Sequence, residues 1–258
     1  MSDEKSLKYN EPWILQRADP YVYRHTDGSY YFTASVPAYD GIVLRRAGSL
    51  AELSGAEEVM VWKKHESGPM SYHIWAPEIH YLFGKWYIYF AGGEAEDIWK
   101  IRPYVLECSG DDPLTDEWVE LGKMKRAAED EFSFEAFSLD ATVFENKGEY
   151  YYVWAEKVGV GKMISNLYIA KMESGNQLKT VQVLLTTPDY DWERKGFWVN
   201  EGPAVIHHDG KMFLTYSASE TGVDYCVGML SIDEDADILD PRLWKKERYP
   251  VLKTCEKL

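Results

Sequence analysis

Cysteine is scarce in this chain. The 258 residues hold only Cys108, Cys226 and Cys255, too few and too irregularly spaced for a disulfide framework or a zinc centre. Positive charge is also short. Lys and Arg number 28 against 43 Asp and Glu, and the formal charge of −15 repels nucleic-acid phosphates and anionic membranes, excluding both as partners. No apolar run approaches a membrane span, and the opening MSDEKSLKYNEPW has no apolar core of the kind a secretory leader carries. Asn-x-Ser/Thr acceptors are missing. Together these gaps predict a reduced, cytoplasmic protein that handles a neutral ligand. Helical periodicity is lacking too; the stretch Ser49 to Ala56 reads as one turn at most. There is no Walker loop, dinucleotide fingerprint, His-Glu-x-x-His pair or Gly-x-Ser-x-Gly elbow. The six histidines show no ligand spacing, and His207 and His208 read as exposed. The acidic runs Glu129-Asp130-Glu131 and Asp233-Glu234-Asp235 read as solvated loop faces.

What the chain does have is repetition. Four stretches share one pattern: ADPYVYRHTDGSYYFTAS from Ala18, WAPEIHYLFGKWYIYFAGG from Trp75, LDATVFENKGEYYYVWAE from Leu139 and EGPAVIHHDGKMFLTYSAS from Glu201. Each is a short apolar strand, a turn at Gly28, Gly84, Gly148 or Gly210, and an aromatic-rich strand. A third strand candidate follows each hairpin (from Ile42, Pro103, Asn166 and Asp224), then an outer segment from Glu57, Asp116, Thr180 or Arg248. The turn glycines are 56, 64 and 62 residues apart. Four strands per unit at that period predict an all-β chain folded as a β-propeller, with blades over 18–65, 72–124, 137–193 and 199–252.

Asp19, Asp140 and Glu201 precede their turn glycines by 9, 8 and 9 residues, so the spacing places all three carboxylates at one end of the propeller axis. Like charges so gathered raise one another's pKa. Converging carboxylates are how glycosidic bonds are hydrolysed, one protonating the leaving oxygen and one activating water or attacking the sugar. Carboxylates facing each other across an axis fit the wider spacing of an inverting reaction better than the narrow spacing of a retaining one. Taken singly, Asp19 before Pro20 also reads as a strand terminator.

The segments ADPYV at Ala18, WAPEIH at Trp75, SLDATVF at Ser138 and NEGPAV at Asn200 resemble, in order, glycoside hydrolase family 43. The resemblance implies a five-bladed β-propeller and an inverting enzyme that releases arabinose or xylose. It makes Asp19 the general base, Asp140 the residue that tunes and orients the acid, and Glu201 the general acid. Trp75 matches the aromatic beside the terminal sugar, although a tryptophan packed between blades reads equally well; Phe137 is a second wall candidate. Glu78 is set aside as structural, two residues past the register of the acids. No cofactor is required, no metal ligands are assigned, and a structural calcium ion is left open. The likeness around SVPAYDGIVLRRAGSL and HESGPMSYHIWAPEIH favours an exo-acting α-L-arabinofuranosidase on a pentose-containing oligosaccharide or polysaccharide. A β-xylosidase, an endo-arabinanase and a non-catalytic carbohydrate-binding propeller are the alternatives. The family's fifth blade, with its axial histidine, has no counterpart within 258 residues, so four blades are expected here with the last absent or truncated.

Overall fold

A computed structural model describes residues 12–254; Cys255 and the first eleven residues of the opening segment lie outside it. Four antiparallel sheets follow one another along the chain. The first contains β1 (Ala18–Arg24), β2 (Tyr30–Ser35), β3 (Gly41–Ala47) and β4 (Val59–Lys63), and the second β5 (Tyr72–Leu82), β6 (Lys85–Glu94), β7 (Asp97–Cys108) and β8 (Val119–Lys123). The third is built from β9 (Ser138–Asn146), β10 (Glu149–Val160) and β11 (Lys162–Ser174), with β12 (Gln177–Leu178) and β13 (Val183–Thr186) both pairing β11. The fourth has β14 (Asn200–His208), β15 (Lys211–Ala218) and β16 (Cys226–Asp233), edged by β17 (Lys245–Lys246) and β18 (Leu252–Lys253). Each sheet packs on the next in chain order, with its first strand innermost, as in propeller blades. The helical turn expected over Ser49 to Ala56 is the 3-10 segment Leu50–Gly55, and a second 3-10 turn, Asp191–Glu193, was not anticipated. The fourth outer edge differs from expectation: the segment from Arg248 pairs only through β18, and β17 supplies the rest.

Aromatic and branched side chains fill the spaces between blades. Tyr31, Ile42, Ile79 and Trp86 lie between the first and second sheets. Tyr89, Phe134, Tyr152 and Trp154 lie between the second and third, and Val153, Leu214, Tyr216 and Trp244 between the third and fourth. Burying each such side chain stabilises the fold by about 1.5–3 kcal/mol, which accounts for the aromatic-rich second strands read from sequence.

The inner hairpins explain a one-residue irregularity in the repeat. In the second to fourth blades the loop is two residues with both φ positive: Phe83-Gly84, Lys147-Gly148 and Asp209-Gly210. Those are type I′ turns, whose twist matches the strands they join. The first blade instead uses a longer connection between Arg24 and Tyr30. Counting back from the glycines therefore misaligns the first blade by one residue.

A second repeated device sits at the start of every inner strand. Between Ala18 and Tyr21, Trp75 and Glu78, Leu139 and Thr142, and Glu201 and Ala204, the register slips by one residue against the partner strand. The bulged residues, Asp19, Ala76, Asp140 and Gly202, have φ of +50°, +45°, +50° and +54°. Bulges re-aim side chains and are concentrated near active sites. The equivalence corrects one expectation: Glu201 does not share the place of Asp19 and Asp140 but stands one residue earlier, at the position of Trp75. A further correction concerns Asp130, which is not on a solvated face. It is buried and accepts hydrogen bonds from Phe132 N, Ser133 N, Ser133 Oγ and Gln182 N. Burial alone would raise its pKa, but those donors hold it below the usual range.

Candidate active site

The four bulges set the geometry of the axial end. Asp19, on the first, sends Oδ2 to Ser35 Oγ at 2.7 Å, and the same oxygen of Ser35 accepts the Ala76 N–H at 2.8 Å. Ser35 is buried, so one hydroxyl ties the Asp19 carboxylate to the bulge of the neighbouring blade. Asp140, on the third bulge, accepts the N–H of Gly202, on the fourth, at 3.1 Å through Oδ2. A bulge leaves ladder N–H groups unpaired, and here two of them are spent between blades. Glu201 accepts the Tyr225 hydroxyl on Oε1 at 2.9 Å.

Asp19, Asp140 and Glu201 all line a single cavity of about 530 Å³, with Trp75 and Phe137 in its wall. Every residue singled out from sequence for the site is therefore present at it. Trp75 meets both of its readings, for it faces the cavity while packing against Ala91, Ile101 and Leu139. Glu78 is not among the lining residues. It is paired with His80 at 2.9 Å, and His80 contacts Tyr21 at 3.4 Å, a polar core deeper along the same strand faces. Among the described residues no group of three or more His, Cys, Asp or Glu side chains is gathered as metal ligands.

Electrostatics follow from crowding. Burial raises the pKa of Asp140 well above its ordinary 3.8, and the charges of Glu201, Asp19 and Glu78 push the same way, against the Gly202 N–H. Burial likewise raises Glu201, assisted by Asp19 and opposed by the Tyr225 hydroxyl and Lys157. The Lys157 ammonium sits 3.7 Å from the centre of the Phe137 ring, and burial lowers its pKa against the pull of Glu201. The arrangement can hold a proton on one carboxyl while another stays a base, which is the demand of acid–base hydrolysis.

Sequence reading missed Ser35, Lys157, Tyr225, Tyr39 and Trp99, all but Ser35 of which line the cavity. Lys157, Tyr225 and Trp99 belong to none of the quoted stretches, and folding alone brings them there. Ser35, which closes the first repeat, and Tyr39 both fall within SVPAYDGIVLRRAGSL, but nothing there singled them out.

Comparison with known proteins agrees with this construction. Residues 9–257 match the model of glycosyl hydrolases family 43, and the chain belongs to that family of glycoside hydrolases. A crystal structure of an α-L-arabinofuranosidase from Lactobacillus brevis is 51% identical and superposes with a TM-score of 0.87, over 95% of this chain and 77% of that one. An extracellular exo-α-(1→5)-L-arabinofuranosidase of Streptomyces avermitilis is 47% identical over 97% of this chain and 51% of its own length. A protein of the same name from Streptomyces chartreusis is 47% identical over 94% of this chain and 72% of its own. The chain thus spans about half the length of the first of these curated relatives.

The names of the two Streptomyces relatives overturn the cytoplasmic expectation, because both are extracellular. The inference failed at cysteine. Disulfides replace a core in small secreted domains, whereas three interblade cores here make crosslinks unnecessary in any compartment.

Proposed function

We propose that the chain is an inverting, exo-acting α-L-arabinofuranosidase that works outside the cell on arabinose-bearing oligosaccharide or polysaccharide. The observation that carries this is the convergence of Asp19, Asp140 and Glu201 on one cavity walled by Trp75 and Phe137. The names of the relatives and the Lactobacillus brevis structure support the choice of arabinose over xylose.

In this reading Asp19 is the base. Ser35 occupies its Oδ2, leaving Oδ1 to take a proton from water as the water oxygen attacks the anomeric carbon. Glu201 is the acid. Tyr225 occupies Oε1, so Oε2 carries the proton that passes to the glycosidic oxygen as the C–O bond breaks. Its raised pKa keeps that proton in place toward neutrality. Asp140 holds the segment bearing Glu201 through the Gly202 amide, and its charge and that of Glu201 oppose each other's ionisation. Attack and departure occur on opposite faces of the sugar, so configuration inverts. The chemistry calls on carboxyls and water alone.

Replacing Glu201 with Gln tests it. The kcat on α-1,5-linked arabinotriose should fall by about 10²–10⁴-fold, with trisaccharide affinity nearly unchanged. The loss on 4-nitrophenyl α-L-arabinofuranoside should be smaller, since nitrophenolate departs with little protonation. A variant that keeps more than a tenth of wild-type kcat on arabinotriose removes Glu201 from the role. Equal release of xylose from 4-nitrophenyl β-D-xyloside would transfer the assignment to a xylosidase, and tight binding without turnover to a carbohydrate-binding propeller.

A further inference from the structure

The catalytic cavity is deeper in apolar surface than a terminal sugar and three acids require. On its rim stand Trp99, Phe197 and Met163, 61%, 64% and 59% exposed, supplied by the start of β7, the connection before β14 and the start of β11. Isolated exposed apolar residues are ordinary on a protein surface. Three that converge on the rim of a single polar-floored cavity are not scattered singly, and an exposed apolar patch continuous with a site marks ligand contact.

Trp99 is also held in place. The His73 imidazole packs against both indoles, 4.2 Å from Trp75 at 34° and 5.2 Å from Trp99 at 35°, and the indoles lie 6.4 Å from each other at 53°, so the three rings form a triangular cluster. Tyr72 closes the far side of His73 edge-on at 4.4 Å, and Tyr39 meets Trp75 edge-on at 6.0 Å. Such offset and edge contacts each contribute about 0.5–1.5 kcal/mol beyond area burial. His73 adopts φ +51°, a left-handed conformation that is strained for a residue of its size. Its Nε2 is buried without a hydrogen-bond partner. Strain and an orphaned nitrogen are tolerated together where a side chain is required in one orientation. The cluster links the wall at the reacting sugar, Trp75, to the exposed ring at the rim.

We propose that Trp99, packed against His73 and sharing the cavity lining with Phe197, is the platform for the sugar unit from which the terminal residue is cleaved. This rests on the arabinofuranosidase reading and adds its leaving-group specificity: a substrate whose terminal arabinose is attached to another sugar with an apolar ring face, as in an oligosaccharide, is preferred to one with a minimal leaving group. Trp99 touches the leaving sugar and none of the reacting atoms. His73 is a positioning residue that acts through it.

The test compares Trp99→Ala, Phe197→Ala and the unaltered chain on α-1,5-linked arabinotriose and on α-L-arabinofuranosyl fluoride, whose leaving group fills none of the outer space. For Trp99→Ala, kcat/KM on arabinotriose should fall at least about tenfold, the range expected for lost apolar contact in a specificity pocket, while the fluoride is hydrolysed within about twofold of wild type. Phe197→Ala should show the same split in smaller measure. His73→Phe, which keeps a ring against both indoles, should stay near wild type on both substrates, whereas His73→Ala, which also uncovers Trp75 beside the reacting sugar, should lose on arabinotriose at least as much as Trp99→Ala and lose on the fluoride as well. Equal loss on both substrates would make Trp99 structural, and no loss on either would leave it idle; both outcomes overturn the platform. Failure of the unaltered chain to release arabinose from either substrate would instead overturn the activity on which the platform rests.

Discussion

Asp140 sits in an unfavourable place for a negative charge. Glu201, Asp19 and Glu78 all oppose its ionisation and burial does so more strongly, with only the Gly202 amide in its favour. A carboxyl whose folded-state pKa is raised binds more protons folded than unfolded. Stability therefore declines as pH rises from the ordinary value of 3.8 through the raised one. Replacing Asp140 with Asn removes that decline and keeps an oxygen for the Gly202 N–H. The variant should melt a few degrees higher than wild type at pH 7. The difference should shrink toward zero as the pH is lowered to about 4, near the unfolded-state value. Melting curves at several pH values read it directly, and a variant that is less stable than wild type at pH 7 would show that the carboxylate is a net stabiliser. The role proposed for Asp140 predicts that activity should fall in the same variant, which would set residue-scale stability against function.

The bulge is the element that makes the site, and it carries its own strain. Asp19, Ala76 and Asp140 are in left-handed backbone at φ near +50°, where a side chain costs about 1–2 kcal/mol. Ala76 performs no chemistry there, so glycine should be better: relief of strain outweighs glycine's entropic disadvantage of about 0.5–1 kcal/mol. Ala76→Gly is expected to stabilise by about 0.5–1 kcal/mol, with a Tm gain of about 2–4 °C per kcal/mol. Gly202→Ala, at the equivalent bulge with φ +54°, should lose about 1–2 kcal/mol by the same strain, although its Cβ would make only ordinary contacts, with Ser217 Oγ at 3.4 Å, Ser217 Cβ at 3.8 Å and Asp140 Oδ2 at 3.9 Å. A melting point that falls for Ala76→Gly contradicts the account. The bulges also mark where sequence stopped being informative. Gly84, Gly148 and Gly210 announce their turns because type I′ geometry demands positive φ. No residue preference announces a bulge whose occupants are Asp, Ala, Asp and Gly. Glu201 was accordingly placed at the correct end of the right strand but one residue out of register, and two compensating offsets disguised it. Ser35 and Tyr225 could not be assigned for a different reason: each hydroxyl reaches a carboxylate on another segment of its own blade, and nothing in the sequence around it requires that contact.

At the scale of the whole molecule, the formal charge of −15 acts without regard to particular contacts. It repels itself in the compact state more than in the extended chain, and that repulsion extends over a Debye length. A neutral pentoside feels none of it. Raising ionic strength from about 10 to 150 mM shortens the screening distance from about 30 to 8 Å. The Tm should therefore rise with salt, while KM for neutral arabinotriose stays within about twofold. An arabinose-bearing oligosaccharide that also carries uronic acid should bind more weakly at low salt and gain as salt is added, because its carboxylates approach a surface of like sign. Composition supplies only the expectation that polyanions are disfavoured partners; the fold adds three carboxylates beside Trp75 and Phe137, gathered from distant positions, and the preference for arabinose rests on the names of the relatives. Should the KM for neutral arabinotriose prove as salt-dependent as that for the acidic oligosaccharide, charge would be acting on the cavity's shape and not on its ligand, and the neutral-substrate reading of the surface would fail.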